Sequence, residues 1–406
     1  MRRPRARTLG IVCVCLVLLV AGVAAGVRWA RGWTGSVTVL ANWSGGEKEQ
    51  FERAVHAFEQ EHRIDVVYQG SSALSQVLAA DLAAGTQPDV AVLPGPGELM
   101  AYAAEGRLEP LDGLFDAGDY DGVWRPKVAG EDGRARTYWL PVKTGLKSMV
   151  WHAGGLSDAE TAKVAGEPDG WCLGMESGAT SGWPGTDWVE DILLQQAGPG
   201  VYAQWATGDL AWTDARVRRA WETWGDLVGA GDRKRAERVL KDDFGQDCPR
   251  ERLEHQGSFR AADWKRVDGD FVHSAQVIPG ARPDAGHWEV SGDLAALLNA
   301  TDEAKELIRF LADPGTGLPD FTANKRAAAP DRHDDPVRRK IGSILRGSRQ
   351  TLCWDASDTM PPVLRDAFHQ AVLHFLVSPD ALEDQLRRLD ALRDGRGPTL
   401  PVCGGG

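Results

Sequence analysis

The sequence lacks the short motifs that mark most enzyme sites. It contains no Gly-x-Ser-x-Gly nucleophile elbow, no His-Glu-x-x-His zinc motif, no phosphate-binding loop and no Gly-x-Gly-x-x-Gly dinucleotide fingerprint. Gly174-Met-Glu-Ser-Gly178 has its serine at the wrong position for a nucleophile elbow. A pair of carboxylates such as Glu176 with Asp187 leaves a glycoside hydrolase open as the third choice of function. We therefore expect no catalytic residue and no cofactor.

Basic residues are also scarce relative to acidic ones. The chain has 46 Lys and Arg against 58 Asp and Glu, a formal net charge of −12, and six of the arginines lie within residues 1–33. Nucleic acid selects positively charged surfaces, so we expect no nucleic-acid partner. The basic runs Arg216–Arg219 and Arg233–Arg238 are typical of solvated helix faces.

Cysteine is rare, and its spacing argues against a metal. The chain has 6 cysteines with no Cys-x-x-Cys, and its histidines are scattered without ligand spacing, so no metal site is predicted. Cys13 and Cys15 lie in the apolar N-terminal run, which leaves Cys172, Cys248, Cys353 and Cys403. An even number in an oxidising compartment indicates two disulfides, for which three pairings exist. We favour Cys172–Cys248 with Cys353–Cys403, and the second would clip the C-terminal tail onto the body.

The N-terminal segment, residues 1–33, reads as a signal peptide or a membrane anchor. Leu9–Val27 is an uncharged apolar run of 19 residues, long enough to span a bilayer. Arginines precede it, which predicts a cytoplasmic N-terminus and an exported body. Val23-Ala-Ala25 would suit cleavage, whereas the flanking Trp29 and Trp33 favour an anchor. Both readings predict an extracellular protein, which is associated with the cell membrane if the segment is not cleaved.

The stretch that follows alternates between strand and helix patterns. Ser36–Leu40 predicts a strand, Glu47–Gln60 an amphipathic helix, Ile64–Tyr68 a strand, and Pro88–Leu93 a short buried strand after another helix. This alternation indicates a parallel sheet with crossover helices, and 406 residues indicate two domains or lobes. Ligands of such sheets lie at the carboxyl ends of the strands, where Trp43 and Glu47 follow the first strand.

Tryptophan is abundant: the chain has 16 Trp but 5 Tyr and 10 Phe. An indole face packs on the C–H face of a sugar ring, while carboxylates and amides bind its hydroxyl groups. Several tryptophans stand beside Gly, Ser or Asp, namely Trp43, Trp183, Trp188, Trp288 and Trp354, whereas Trp205, Trp221 and Trp224 lie in helical patterns that indicate packing. Carbohydrate binding is the function that this composition favours.

Several motifs, in order and spacing, carry a family resemblance. They are Asn42-Trp-Ser-Gly-Gly-Glu47, Pro88-Asp-Val-Ala-Val-Leu-Pro94, Leu140-Pro-Val-Lys143, Lys147-Ser-Met-Val-Trp151, Ser181-Gly-Trp-Pro-Gly-Thr-Asp-Trp188, Gln256-Gly-Ser-Phe259, Gly292-Asp293 and Asp355-Ala-Ser-Asp358. Between Ser36 and about Leu392 the chain resembles the extracellular solute-binding proteins of ABC sugar importers, in the α-glucoside-type branch of the maltose-binding-protein-like family.

The resemblance implies a two-lobed, periplasmic-binding-protein-like α/β fold that closes on its ligand as a hinged trap. It implies lobe 1 over residues 36–142 and 290–345, and lobe 2 over 146–288 and 350–400. It further implies a monomer that captures an oligosaccharide, such as an α-glucoside, and delivers it to ABC permease subunits. The implied ligand-binding residues are Trp43, Glu47, Ser72, Lys143, Trp183, Gln256, Trp288, Asp293 and Asp358.

Structural alternatives exist for several of these residues. Glu47 could cap the first helix, Lys143 could pair with a surface acid, and Asp293 and Asp358 could act as caps or turn formers. The chain also departs from the family pattern, because no cysteine is placed for a lipoprotein anchor. A membrane-anchored carbohydrate-sensing receptor without a transport role is therefore the alternative function.

Overall fold

The structure is a computed structural model that describes residues 32–120, 122–124, 127–316, 321–327, 335–347, 349–393 and 400–405. The predicted membrane segment Leu9–Val27, with Cys13 and Cys15, lies outside these ranges. Within them, none of the helices combines the length and the apolar character that crossing a bilayer requires.

The opening stretch forms the predicted alternation. Its elements are β1 (Gly35–Ala41), α1 (Gly45–His62), β2 (Ile64–Gly70), α2 (Leu74–Ala84), β3 (Val90–Leu93) and α3 (Pro96–Ala104). β1 pairs in parallel with both β2 and β3. The buried face of α1 carries Phe51, Val55 and Phe58 at helical spacing. α3 begins at Pro96, because proline suits the first helical position.

The remaining elements follow in chain order. They are β4 (Lys127–Ala129), β5 (Ala135–Thr137), β6 (Trp139–Leu146), β7 (Met149–His152), α4 (Asp158–Ala165), β8 (Trp171–Cys172), α5 (Trp183–Ala197), α6 (Pro199–Ala206), α7 (Ala215–Val228), α8 (Arg233–Val239), β9 (Leu253–His255), α9 (Ala261–Lys265), β10 (Asp270–His273), β11 (His287–Leu297), α10 (Asp302–Ala312), α11 (Pro336–Leu345), β12 (Thr351–Trp354), α12 (Ala356–Thr359), α13 (Pro362–Val377), α14 (Leu382–Leu392) and β13 (Cys403–Gly405).

Most of the described strands belong to two sheets. The larger sheet runs β13-β12-β11-β3-β1-β2, with β6 also paired to β11, and the smaller runs β10-β7-β9-β8. β11 pairs with β12 at its start and with β3 at its end, while β6 runs antiparallel along its middle. β6 and β11 therefore join the two halves of the molecule. α13 packs on α5 in the second lobe.

β11 runs for 11 residues, through a stretch that its local sequence does not mark as strand. The polar residues Ser291–Asp293 interrupt the apolar pattern, but all three pair with β6. The neighbouring strand thus overrides the local signal.

More of the tryptophans are buried than the sequence predicted. Trp205, Trp221 and Trp224 are buried, as predicted, but so are Trp188 and Trp354, each 1% exposed. Trp188 packs against Trp171 and His255, and Trp354 against Trp124. α5 is buried on almost every face, so Trp188 belongs to the core although it follows a Gly-rich loop.

Both favoured disulfides form, Cys172–Cys248 and Cys353–Cys403. The second disulfide joins β12 to β13. Gly404 and Gly405 therefore pair with β12 as part of a strand.

Candidate functional site

Four of the predicted residues meet where β1 ends. Trp43 directly follows β1 and its Nε1 donates a hydrogen bond of 2.8 Å to Asp293 Oδ2 on β11. Lys143 lies opposite Asp293 on the paired strand β6, and its Nζ is 3.8 Å from Asp293 Oδ2. The same ammonium group forms an ion pair with Glu47 in the first turn of α1. We call Trp43, Glu47, Lys143 and Asp293 the polar cluster.

The polar cluster is partly open to solvent. The Glu47 side chain is 47% exposed and that of Asp293 is 17% exposed. Burial raises the pKa of Asp293, while Lys143 and the Trp43 hydrogen bond act in the opposite direction. Ser44 caps α1 without a side-chain hydrogen bond, so no capping box employs Glu47. The cluster thus combines the buried indole of Trp43 with an ammonium group and two carboxyl groups that reach solvent.

An aromatic cluster, Trp183, Phe244 and Phe259, lies in the second lobe. Trp183 starts α5 and its ring centroid is 5.1 Å from that of Phe244 and 6.1 Å from that of Phe259. Phe259 is 43% exposed and Trp183 is half-buried, so the cluster presents apolar ring surface to solvent. The sequence analysis missed Phe244 and Phe259. Phe259 ends a family motif from which only Gln256 was selected, whereas no local signal marks Phe244.

Lys147 lies beneath the aromatic cluster. Its Nζ is 5.7 Å from the Trp183 ring centroid and 2.9 Å from Asp187 Oδ2, and it also pairs with Asp355. Burial opposes the charge of Lys147, but Asp187 and Asp355 raise its pKa well above the usual value. Burial raises the pKa of Asp187 to about 8, although Lys147 lowers it. Asp187 is thus held against Lys147 in the core, and Glu176 accepts a hydrogen bond from the Gly178 amide.

The lobes touch through α12 and α3. A Cβ on Gly95 would lie 2.5 Å from Asp358 Cβ, and one on Gly97 would lie 2.3 Å from Met360 O, so only glycine permits this approach. Burial raises the pKa of Asp358 well above its usual value, as does the neighbouring Asp355. Asp358 therefore lies in the contact between the lobes.

A buried ion pair strengthens this contact. Arg365 on α13 lies 3.5 Å from Glu98 on α3, and their side chains are 15% and 5% exposed. Ser75 Oγ donates a 2.6 Å hydrogen bond to the same Glu98 oxygen. We call Glu98 and Arg365 the interlobe pair. Sequence reasoning missed it because the partners are 267 residues apart.

The other three predicted residues lie apart from the polar cluster. Ser72 is exposed, and a Cβ on Gly178 of the Gly-rich loop would be 3.9 Å from its Oγ. Gln256 is 6% exposed and its Oε1 has no hydrogen-bond partner among the described residues. Trp288 is 7% exposed, and its ring lies 4.1 Å from the His273 ring inside the second lobe.

Among the described residues, one group of carboxylates has a spacing that could suit a metal ion. Oxygens of Glu190, Glu289 and Asp355 lie within 4.8 Å of one another. Burial raises the pKa of both Glu190 and Glu289 well above the usual value. Tyr202 donates to Glu289 over 3.0 Å, and the amides of Ala356 and Ser357 donate to Glu190. These donors and carboxyl groups form a buried core network, which is separate from the polar cluster.

The chain is similar to known proteins over most of its length. A family model described as bacterial extracellular solute-binding protein matches residues 42–317. The chain is 31% identical to the osmoprotective compounds-binding protein GgtB of Synechocystis sp. over 359 residues, covering 80% of this chain and 84% of the relative. It is 29% identical to the alpha-glucosides-binding periplasmic protein AglE of Rhizobium meliloti over 368 residues, covering 80% of each.

Solved structures show the same fold. A chitin oligosaccharide binding protein superposes with a TM-score of 0.69 at 17% identity, over 88% of this chain and 97% of the other. The maltose-maltodextrin binding protein of Alicyclobacillus acidocaldarius superposes with a TM-score of 0.61 at 13% identity, over 87% of this chain and 98% of the other. At these identities the likeness concerns the two-lobed fold alone.

Proposed function

Since the chain belongs to the family of bacterial extracellular solute-binding proteins, we propose that it captures a carbohydrate between its lobes and delivers it to an ABC permease. The observation that carries this proposal is the pairing of a polar cluster in one lobe with an exposed aromatic cluster in the other. Sugar sites combine these two features, because ring faces pack on aromatic rings and hydroxyl groups need charged or amide partners.

The ligand class follows from the relatives. AglE is named for α-glucosides, and the chain shares 29% identity with it over most of both lengths. We propose an oligosaccharide of the α-glucoside type. Glu47, Lys143 and Asp293 would bind hydroxyl groups, while Trp43 would hold Asp293 in place. Trp183 and Phe259 would stack on the sugar ring, and Ser72 and Asp358 would border the ligand at the contacts between the lobes.

Closure of the lobes is the proposed means of capture. Lobe 1 would comprise residues 36–142 and 290–345, and lobe 2 residues 146–288 and 350–400, with β6 and β11 as the crossing segments. A ligand that touches both lobes favours the closed form, because only differential affinity shifts such an equilibrium. We propose that the protein acts as a monomer outside the cell, held at the membrane by its N-terminal segment, without catalytic activity.

A thermal-shift screen of the full chain against mono- and oligosaccharides tests the proposal. A ligand that binds only the folded state raises the melting temperature by mass action. We expect a saturable rise with at least one α-glucoside, and recovery of that sugar unchanged after incubation. No rise with any sugar would contradict carbohydrate binding, and conversion of the sugar would contradict the absence of catalysis.

A further inference from the structure

A cavity of about 160 Å³ lies in the second lobe, outside the interlobe site. None of the predicted ligand residues lines it. Its charged lining consists of Arg235, Arg238 and Arg252 with Asp242 and Asp247. Three guanidinium groups against two carboxylates give the lining one net positive charge, in a chain whose formal charge is −12. The cavity is therefore a local exception to an acidic protein.

Arg235 is held in place by the backbone around it. Its Nη1 donates to Pro168 O over 2.8 Å and its Nη2 to Asp169 Oδ1 over 2.7 Å. Its Nε is buried and has no hydrogen-bond partner among the described residues. A buried donor without an acceptor is costly, so Arg235 has one hydrogen-bonding group that the described residues leave unsatisfied.

Arg238 and Arg252 approach the cavity from different segments. Arg238 lies on α8, and Arg252 directly precedes β9. The disulfide Cys172–Cys248 joins the segment that carries Arg252 to β8, and Cys172 also lines the cavity. Within the described part of the chain, neither arginine forms an ion pair, although two acids line the same cavity. Two guanidinium groups are thus available for an external anion.

The sequence predicted that Arg233–Arg238 would be a solvated helix face. Arg233 and Arg238 are exposed, as predicted, although Arg238 also lines the cavity together with Arg235. Arg233 pairs with Glu237 on the same helix. The side chain of Arg235 is 18% exposed, whereas that of Arg233 is 89% exposed. The basic run therefore has an outer face and a cavity face.

We propose that this cavity binds a free, small oxyanion of the phosphate or sulfate class. Guanidinium groups bind such anions bidentately, through parallel N–H donors that match the oxygen spacing. The volume corresponds to about five water molecules at their liquid density, which suits one tetrahedral anion with some of its hydration water. The site is independent of the carbohydrate proposal because it shares no residue with it.

Isothermal titration of the full chain with inorganic phosphate tests this site, at constant ionic strength to hold screening fixed. We expect saturable binding of one phosphate per chain. Arg238→Gln with Arg252→Gln should weaken it at least tenfold. The control pair, Arg216→Gln with Arg233→Gln, removes the same charge outside the cavity and should leave the affinity unchanged. Absence of saturable binding, or equal weakening in both pairs, would overturn the proposal.

Two further measurements test whether the guanidinium groups bind the anion bidentately and whether the anion is a free ion. Arg238→Lys with Arg252→Lys keeps the charge but removes the guanidinium fork, so the proposal expects weakening with an unchanged unfolding curve. Unchanged affinity in this variant would contradict bidentate binding. Titration with glycerol 3-phosphate separates a free ion from a phosphate ester such as a lipid headgroup. The proposal expects the ester to bind no more tightly than inorganic phosphate, and tenfold tighter binding would overturn it.

Discussion

The indole Nε1 of Trp43 donates a 2.8 Å hydrogen bond to Asp293 Oδ2, across 250 residues of sequence. The contact joins the loop after the first strand to the strand that crosses between the lobes. It holds an acid whose pKa is raised by burial beside the only partly buried Lys143 and Glu47. The candidate site is therefore assembled by tertiary pairing rather than by one motif.

Trp43→Phe should destabilise the fold by about 2 kcal/mol, the usual scale of a hydrogen bond to a charged group. The ring packing against Phe51 is largely kept, so the loss reports on the Asp293 contact. Urea unfolding measures the change. Trp33→Phe, at the opposite end of β1, is the matched control. Equal stability of wild type and Trp43→Phe would show that the hydrogen bond contributes nothing.

Asp187 should make stability fall as the pH rises. Its pKa is about 8 in the folded protein and about 3.9 when unfolded, so the folded state holds an extra proton between these values. One such proton contributes a slope of about −1.4 kcal/mol per pH unit to the unfolding free energy. Asp187→Asn should remove that slope between pH 5 and 7 in urea titrations, whereas the exposed Asp209→Asn should not. If the unfolding free energy depends on pH in Asp187→Asn as it does in the wild type, Asp187 does not have the raised pKa.

The interlobe pair should favour the closed form. Arg365→Met leaves Glu98 buried without its cation, and we expect a bias of about 2 kcal/mol, or roughly 30-fold, toward separated lobes. Small-angle scattering of the ligand-free protein should show a larger radius of gyration than wild type. Arg387→Met, whose side chain is 64% exposed, is the control. An unchanged radius in Arg365→Met would mean that the pair does not hold the lobes together.

Each disulfide should contribute about 4 kcal/mol through the unfolded state, since the bridges close loops of 76 and 50 residues. Cys172→Ser with Cys248→Ser, and Cys353→Ser with Cys403→Ser, should each lower the unfolding free energy by that amount in urea. The second pair should also release β13 from protection against hydrogen exchange. A loss below about 1 kcal/mol would show that strand pairing alone retains the tail.

Local patterns predicted the parts of the fold that depend on local physics. The alternation from β1 to α3 follows from apolar periodicity, and the loop with Trp43 and Glu47 follows from its place after β1. The full length of β11 was not predictable, because Ser291–Asp293 become strand only through pairing with β6. Trp188 was grouped with the tryptophans that favour sugar binding, because its burial depends on the packing of α5 on almost every face, which is a tertiary property.

Local patterns also predicted only part of the candidate site. The resemblance implied nine ligand-binding residues, and the structure brings four of them together: Trp43, Glu47, Lys143 and Asp293. Phe244 and the interlobe pair were missed, because an isolated aromatic residue and two distant charged residues carry no periodic signal. Arg235 was predicted to be solvated, because a cavity formed by separate segments leaves no pattern in any one of them.

Isothermal titration of the full chain with a panel of α-glucosides, compared with Trp183→Ala and the control Trp33→Ala, tests the central claim most directly. Trp183 is half-buried, so its removal should spare the fold while deleting the ring surface of the aromatic cluster. We predict saturable binding of one sugar per chain in the wild type and in Trp33→Ala, and at least a tenfold loss in Trp183→Ala, the scale of one aromatic stacking contact. No binding of any sugar by the wild type, or equal affinity in Trp183→Ala, would contradict a carbohydrate site between the lobes.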